Sequence, residues 1–276
     1  MASDTDTVGG ARQGERLRDR IHGGTYFLDV GDPEMGGGAV VLIHGVGLDH
    51  RMWDAQEQAF ASRLRVVRYD MLGHGRSANP PGERNVIDFV HQLDQLLMNL
   101  NFERASLVGF SMGGLVARAF AGRHPERVER LVLVSTVYNR LEAERAAVRA
   151  RYATAEAGGD LTEAALTRWF SPEFAEVHPD AVAAVRGRLQ ANDRDGFLRA
   201  YRVFAEAYDA EEDLAAIACP SLVITGELDS GSTPAMARAM AAELPNAEAL
   251  ILPGLRHMVP IEGSGVLNRA LLAFLT

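Results

Sequence analysis

The chemistry in this 276-residue chain starts at a serine between glycines, Gly109-Phe110-Ser111-Met112-Gly113. An apolar run, Ala105 to Val108, precedes it, and a helical pattern, Leu115 to Ala121, follows. A serine at so sharp a strand-to-helix turn sits on a strained backbone that presents its hydroxyl at the edge of a sheet. The flanking glycines are needed because a side chain would clash in the bend. A serine hydroxyl is a poor nucleophile at neutral pH. It needs a base, and the base needs an orienting acid. With the serine on such an elbow, acid and histidine are expected later in the chain, each in a loop after a strand. Of eight histidines, only His257 lies beyond the last predicted strand. The strand ending at Thr225 runs into Gly226-Glu227-Leu228-Asp229, so Asp229 is the expected acid and Glu227 the alternative. The stretch Ser135-Thr136-Val137, after another strand, offers no carboxylate. An oxyanion needs two backbone donors. The N–H of Met112 supplies one. The loop His44-Gly45-Val46-Gly47 supplies the other, expected from Val46.

Other candidate motifs read as structural. His44 is expected to hydrogen-bond within its loop. Asp70 to Ser77 is glycine-rich but lacks the lysine and the spacing of a phosphate-binding loop, so His74 is read as part of a tight turn. No H-E-x-x-H or paired Cys/His spacing occurs, and neither metal nor cofactor is expected. The single cysteine, Cys219, precedes Pro220 and an apolar strand and reads as a small core residue.

The elements that must carry these residues alternate. Thr25–Val30 reads as a strand, followed by a turn at Asp32-Pro33 and Gly36 to Gly38. Apolar runs at 39–43, 65–69, 106–109 and 131–134 suit strands buried on both faces. Between them, Val86, Phe89, Val90, Leu93, Leu96, Leu97 and Leu100 fall on one helical face. Strands alternating with helices imply a mostly parallel sheet covered on both sides. The rhythm breaks between about Asn139 and Asp213. There, Asp160-Leu161-Thr162-Glu163 reads as a capping box, Ser171-Pro172 as a helix start, and Asp193 as the cap of a helix through Tyr208. Alternation resumes with strand 221–225, a helix from Thr233 to Leu244, strand 249–252 and a last helix near Val266 to Leu275.

Composition narrows the partners. About 47 % apolar residues suits a packed core, and a net charge of −9 argues against a nucleic-acid binder. The acidic N-terminus lacks the pattern of a secretory signal, and no apolar stretch is long enough to span a bilayer. A small-molecule substrate and a cytoplasmic location, with no nucleic-acid or membrane partner, are the expectation.

Taken together, these residues resemble the α/β-hydrolase superfamily, from about residue 22 to 276. Within it the chain resembles the 3-oxoadipate enol-lactonases, on Asp49 to Gln56, Gly109 to Gly114, His124 to Val128, and Arg168-Trp169-Phe170-Ser171-Pro172-Glu173-Phe174. Residues 1–18, polar and without periodicity, read as a flexible tail, followed by a core over 19–138, a helical insertion over 139–214 and core again over 215–276; the resemblance implies that the core is a hydrolase core and the insertion its helical cap. It implies a cofactor-free serine hydrolase cleaving a small carboxylated lactone or ester through an acyl-enzyme. A hydrolase of a ring-cleavage product, cutting an amide or C–C bond with the same triad, and a haloperoxidase-like perhydrolase are the alternatives. A carboxylated substrate would need a planar cation, for which Arg168 and Arg202 are the candidates. Their neighbours Trp169 and Tyr201 are expected beside them.

Overall fold

The computed structural model describes residues 18–31, 38–207 and 214–276. The turn expected at Asp32-Pro33 and Tyr208 lie outside the described residues, as does the tail through residue 17. After an unanticipated first strand, β1 (Arg18–His22), the first half of the chain alternates as expected, with β2 (Thr25–Val30), β3 (Ala39–Ile43), α1 (Asp54–Phe60), β4 (Arg65–Tyr69), α2 (Val86–Asn99), β5 (Ala105–Phe110), α3 (Met112–Arg123) and β6 (Val128–Val134). Five helices follow without a strand among the described residues: α4 (Glu142–Glu156), α5 (Thr162–Trp169), α6 (Pro172–Val177), α7 (Pro179–Gln190) and α8 (Arg194–Glu206). The sheet is completed by β7 (Ser221–Gly226) and β8 (Ala247–Leu252), with α9 (Pro234–Glu243) between them and α10 (Val259–Glu262) and α11 (Ser264–Leu275) after.

These strands form one sheet in the order β1-β2-β4-β3-β5-β6-β7-β8. The pairs from β4 through β3 to β8 are parallel, and β1 and β2 are antiparallel at one edge. The period of two in each strand splits its side chains between two cores. Val41, Ile43, Leu107 and Leu133 pack with α2, α3 and α9 on one face. Val40, Leu42, Val108 and Val134 pack with Trp53, Phe60 and α11 on the other. Strands flanked this way must be apolar throughout, which is why they read as continuous apolar runs.

Register matters for function. Ile43 pairs with Gly109, Phe110 with Val134, Val134 with Ile224, and Gly226 with Leu252. The carboxyl ends of β3, β5, β6, β7 and β8 therefore lie along one edge, where open α/β sheets bind ligands. Local signals explain the helix starts. Asn85 and Asp88 form a reciprocal box at α2, and Ser171 and Asp193 accept N–H bonds at the starts of α6 and α8. The box expected at Asp160 is only half made. Asp160 accepts from the Thr162 N–H at 2.7 Å, but Glu163 turns outward to pair with Arg186. Strand β1 went unread because Arg-Asp-Arg-Ile-His has no apolar alternation. It exists through its antiparallel pairing with β2.

Candidate active site

Ser111 lies between β5 and α3 with φ 52° and ψ −116°, a conformation that costs on the order of 1–3 kcal/mol for a non-glycine residue. The surroundings enforce it. A Cβ on Gly109 would press into the Gly113 carbonyl, and one on Gly113 into the carbonyls of Ile43 and His44. The turn can close only with both side chains absent. The Ser111 N–H donates to Val134 O at 2.9 Å, and its carbonyl accepts from Gly114 N at 3.0 Å and from Thr136 Oγ1 at 2.7 Å.

His257 follows β8, and its Nδ1 is 2.7 Å from Asp229 Oδ2. A carboxylate only accepts, so Nδ1 carries a proton, an arrangement that in the neutral ring leaves the lone pair on Nε2. The other Asp229 oxygen accepts from the N–H groups of Gly231 and Ser232, each at 2.9 Å. Burial pushes the Asp229 carboxyl up. The charge and hydrogen bond of His257 and the two backbone donors outweigh this and hold it below the ordinary carboxylate range. Glu227 points elsewhere and accepts from the Gly254 N–H at 2.9 Å. Phe110 and Trp169 flank the imidazole, with ring centroids 5.0 and 5.8 Å away.

The loop bearing Val46 is pinned by two histidines. His44 Nε2 accepts from the Met71 N–H at 2.8 Å, and its Nδ1 lies 2.8 Å from Gly45 O. His74 Nε2 accepts from the Gly47 N–H at 3.0 Å. Both roles need a neutral ring. Burial lowers His44, and burial together with the neighbouring His44 lowers His74 to about 3. Asn192, from the turn after α7, donates to Gly47 O at 2.8 Å and ties the helical segment to this loop. Met112 opens α3, so its N–H has no intrahelical acceptor and lies at the positive end of the helix dipole.

Ser111, His257, Asp229 and Val46 share one cavity of about 210 Å³. Its far wall comes from α4, α5 and α8, with Trp169, Phe197, Tyr201 and Phe204 as its aromatic lining. Two arginines also line it, Arg151 and Arg168. Arg168 donates to Ala164 O at 2.8 Å, and neither arginine has a carboxylate partner among the described residues. Burial, then the charge of Arg151, lowers the Arg168 guanidinium.

Of the residues expected to contact substrate, Arg168, Trp169 and Tyr201 line this cavity, and Arg202 does not. Arg202 lies on the outer face of α8, paired with Glu83 at 2.7 Å and with Glu206, four residues on, at 3.0 Å. Its charge is already matched there. Arg151 was missed in the sequence. The signal was its position on the α4 face shared with Val148 and Ala155, both buried at helical spacing. Elsewhere, buried Asp49, His50 and Asp70 come together. Asp70 accepts from His50 N and Nδ1 and from Arg76 N, while Asp49 holds Arg51, so the group braces the loop from Asp70 to Ser77.

Comparison with known proteins gives a consistent result. A family model described as alpha/beta hydrolase fold matches residues 38–264. The (E)-2-((N-methylformamido)methylene)succinate hydrolase of Acinetobacter baylyi is 33% identical over 251 residues, which is 91% of this chain and 93% of that protein. The 3-oxoadipate enol-lactonase 2 of the same organism is 28% identical over 84% of this chain and 86% of its own length. Among solved structures, the enol-lactonase from Burkholderia xenovorans LB400 matches with a TM-score of 0.84 at 30% identity, covering 91% of this chain and 96% of that one.

Proposed function

The chain belongs to the alpha/beta hydrolase family, and from that premise we propose that it is a cofactor-free serine hydrolase of small carboxylated lactones or esters. One observation carries the reading. An elbow serine and a carboxylate-oriented histidine open into the same cavity as two arginines that have no carboxylate of their own among the described residues.

In this reading Ser111 Oγ attacks the substrate carbonyl carbon as His257 Nε2 takes its proton. Asp229 holds the imidazole tautomer and stabilises the imidazolium. The N–H groups of Val46 and Met112 hold the oxyanion. Collapse breaks the acyl–oxygen bond, and His257 returns the proton to the leaving oxygen. A water then attacks the acyl-serine with His257 again as base, releasing the acid and restoring Ser111. The helices from α4 to α8 serve as a cap whose arginines anchor the substrate carboxylate.

The paired arginines favour a second reading with the same triad. Two cations suit a substrate with two carboxylates, and a relative at 33% identity is named for a succinate carrying an amide. Cleavage of an amide on a small dicarboxylate is therefore the alternative. The experiment is a panel of lactones, esters and acylaminomethylene dicarboxylates with product analysis, run beside a fluorophosphonate label. Ser111→Ala should lose roughly four to six orders of magnitude in kcat, and mass spectrometry should find the adduct on Ser111. An adduct elsewhere, or substantial residual activity, would overturn the assignment.

A further inference from the structure

The loop that carries His257 is held from two sides. On one side is the acid loop, with Glu227 N bonded to Leu252 O and Leu228 N to Leu255 O, each at 2.8 Å. On the other is the carboxyl end of α5, the helix that brings Arg168 and Trp169 to the cavity. That end needs partners, because the last carbonyls of a helix have no intrahelical donor. Arg256, next to His257, supplies two. Its Nη1 donates to Thr167 O at 2.6 Å and to Phe170 O at 3.1 Å. Met258, on the other side of His257, donates its N–H to Trp169 O at 3.0 Å. Glu262 closes the clamp. One of its oxygens accepts from the Ser171 N–H at 3.0 Å, and the other lies 3.4 Å from the Arg256 N–H.

We infer that Arg256 and Glu262 are specificity-positioning residues that lock α5 to the His257 loop and so fix the distance between the carboxylate-binding Arg168 and the reacting centre. The inference rests on the hydrolase reading above. A guanidinium recognises a carboxylate productively only if the scissile carbonyl then lies against Ser111. That distance is set where the two elements join, and on the His257 side the joint is made by Arg256, Met258 and Glu262. His257 keeps its other restraints without the clamp, namely Asp229 and the ladder to Glu227 and Leu228. Loss of the clamp therefore injures recognition of anionic substrates more than it injures the base.

The test uses para-nitrophenyl hemisuccinate as the anionic probe and para-nitrophenyl butyrate as a neutral probe of similar size. Arg256→Ala should lower kcat/KM for the hemisuccinate about tenfold or more, with no more than about a threefold loss for the butyrate. Arg256→Lys should recover part of the difference, because an ammonium can reach one of the two carbonyls. Glu262→Gln should show the same selectivity change more weakly, since the amide accepts at one oxygen only. In an Arg168→Ala background the Arg256→Ala change should have little further effect on the hemisuccinate. Equal losses on both probes, or losses that multiply in the double variant, would overturn the inference and leave the clamp merely structural. Circular dichroism and thermal melts on each variant identify a fold defect, and the lysine variant keeps the test open if the alanine variant unfolds. The two levels fail differently. If Arg168→Ala itself does not discriminate between the probes, the carboxylate reading fails and the inference with it. If Arg168→Ala discriminates and Arg256→Ala does not, only the inference fails.

Discussion

In the proposed mechanism, Asp229→Asn isolates the contribution of the acid because the neighbouring donors dictate how the amide must lie. In the native site one carboxylate oxygen accepts from Gly231 N and Ser232 N at 2.9 Å, and the other faces His257 Nδ1 at 2.7 Å. An asparagine can satisfy the two backbone donors only with its oxygen, so its NH₂ must face the imidazole. An NH₂ there donates, Nδ1 has to accept, and the ring proton moves to Nε2. The base then confronts Ser111 with a proton already in place. The charge that would stabilise the imidazolium is also gone. The same substitution in the well-known serine proteases costs about ten-thousand-fold in kcat, equivalent to about 5 kcal/mol of transition-state stabilisation. A loss of that order is expected here, with KM altered little. The assay is steady-state hydrolysis of a short activated ester, with the rate of fluorophosphonate labelling as a second measure of serine reactivity and a thermal melt to confirm the fold. Glu227→Gln is the internal control. Among the described residues the Glu227 side chain accepts from Gly254 N alone, so its loss should be small. Retention of more than about a tenth of kcat by the asparagine variant would refute the tautomer argument, and a larger loss at Glu227 would move the acid.

Three further outcomes are expected. Arg151→Ala and Arg168→Ala should each cost roughly 2–4 kcal/mol in kcat/KM for an anionic ester and little for a neutral one, whereas Arg202→Ala, already paired with Glu83 and Glu206, should spare both. A selective loss at Arg202 alone would reverse the assignment of the cavity wall. Gly113→Ala should lower unfolding free energy by about 1–3 kcal/mol and abolish activity, because the new methyl meets the carbonyls of Ile43 and His44. Urea unfolding together with a rate assay would detect it, and an active, equally stable variant would contradict the steric account. His74 is buried neutral and lowered to about 3, so the unfolded chain takes up a proton below about pH 6.5 that the fold refuses. Stability is whole above that pH and is lost progressively as pH falls toward 3, with His44 lowered in the same direction. His74 alone should remove about 2 kcal/mol between about pH 6.5 and 5. Urea unfolding at these two pH values measures it, a His74→Gln chain should show a shallower slope, and equal slopes would show that His74 does not carry the effect.

Much of this protein was legible before folding because it rests on short-range rules. The elbow is a five-residue pattern in which Gly109 is forced by overlap with the Gly113 carbonyl, while Gly113 is forced by the distant carbonyls of Ile43 and His44. The buried strands are continuous apolar runs, and the helix caps at Ser171 and Asp193 lie within three residues of the groups they satisfy. The expected order of serine, acid and histidine came from the elbow pattern, which places the two partners in loops after later strands. What the sequence left open depends on separations it does not encode locally. Glu227 and Asp229 both follow β7, and only the pairing of that loop with Leu252 and Leu255 turns one outward and the other toward His257. Arg202 and Arg151 are both arginines on amphipathic helices. The rotation of α4 and α8 against each other and the core decides which one reaches the cavity and which meets Glu83 across 119 residues. Strand β1 is charged and gains its structure from its neighbour. The clamp at Arg256 and Glu262 bonds to backbone groups, and backbone groups leave no mark on residue type. Side-chain identity records local conformation and burial, whereas the meeting of distant loops is set by sheet register and helix packing, and these exist only in the folded chain.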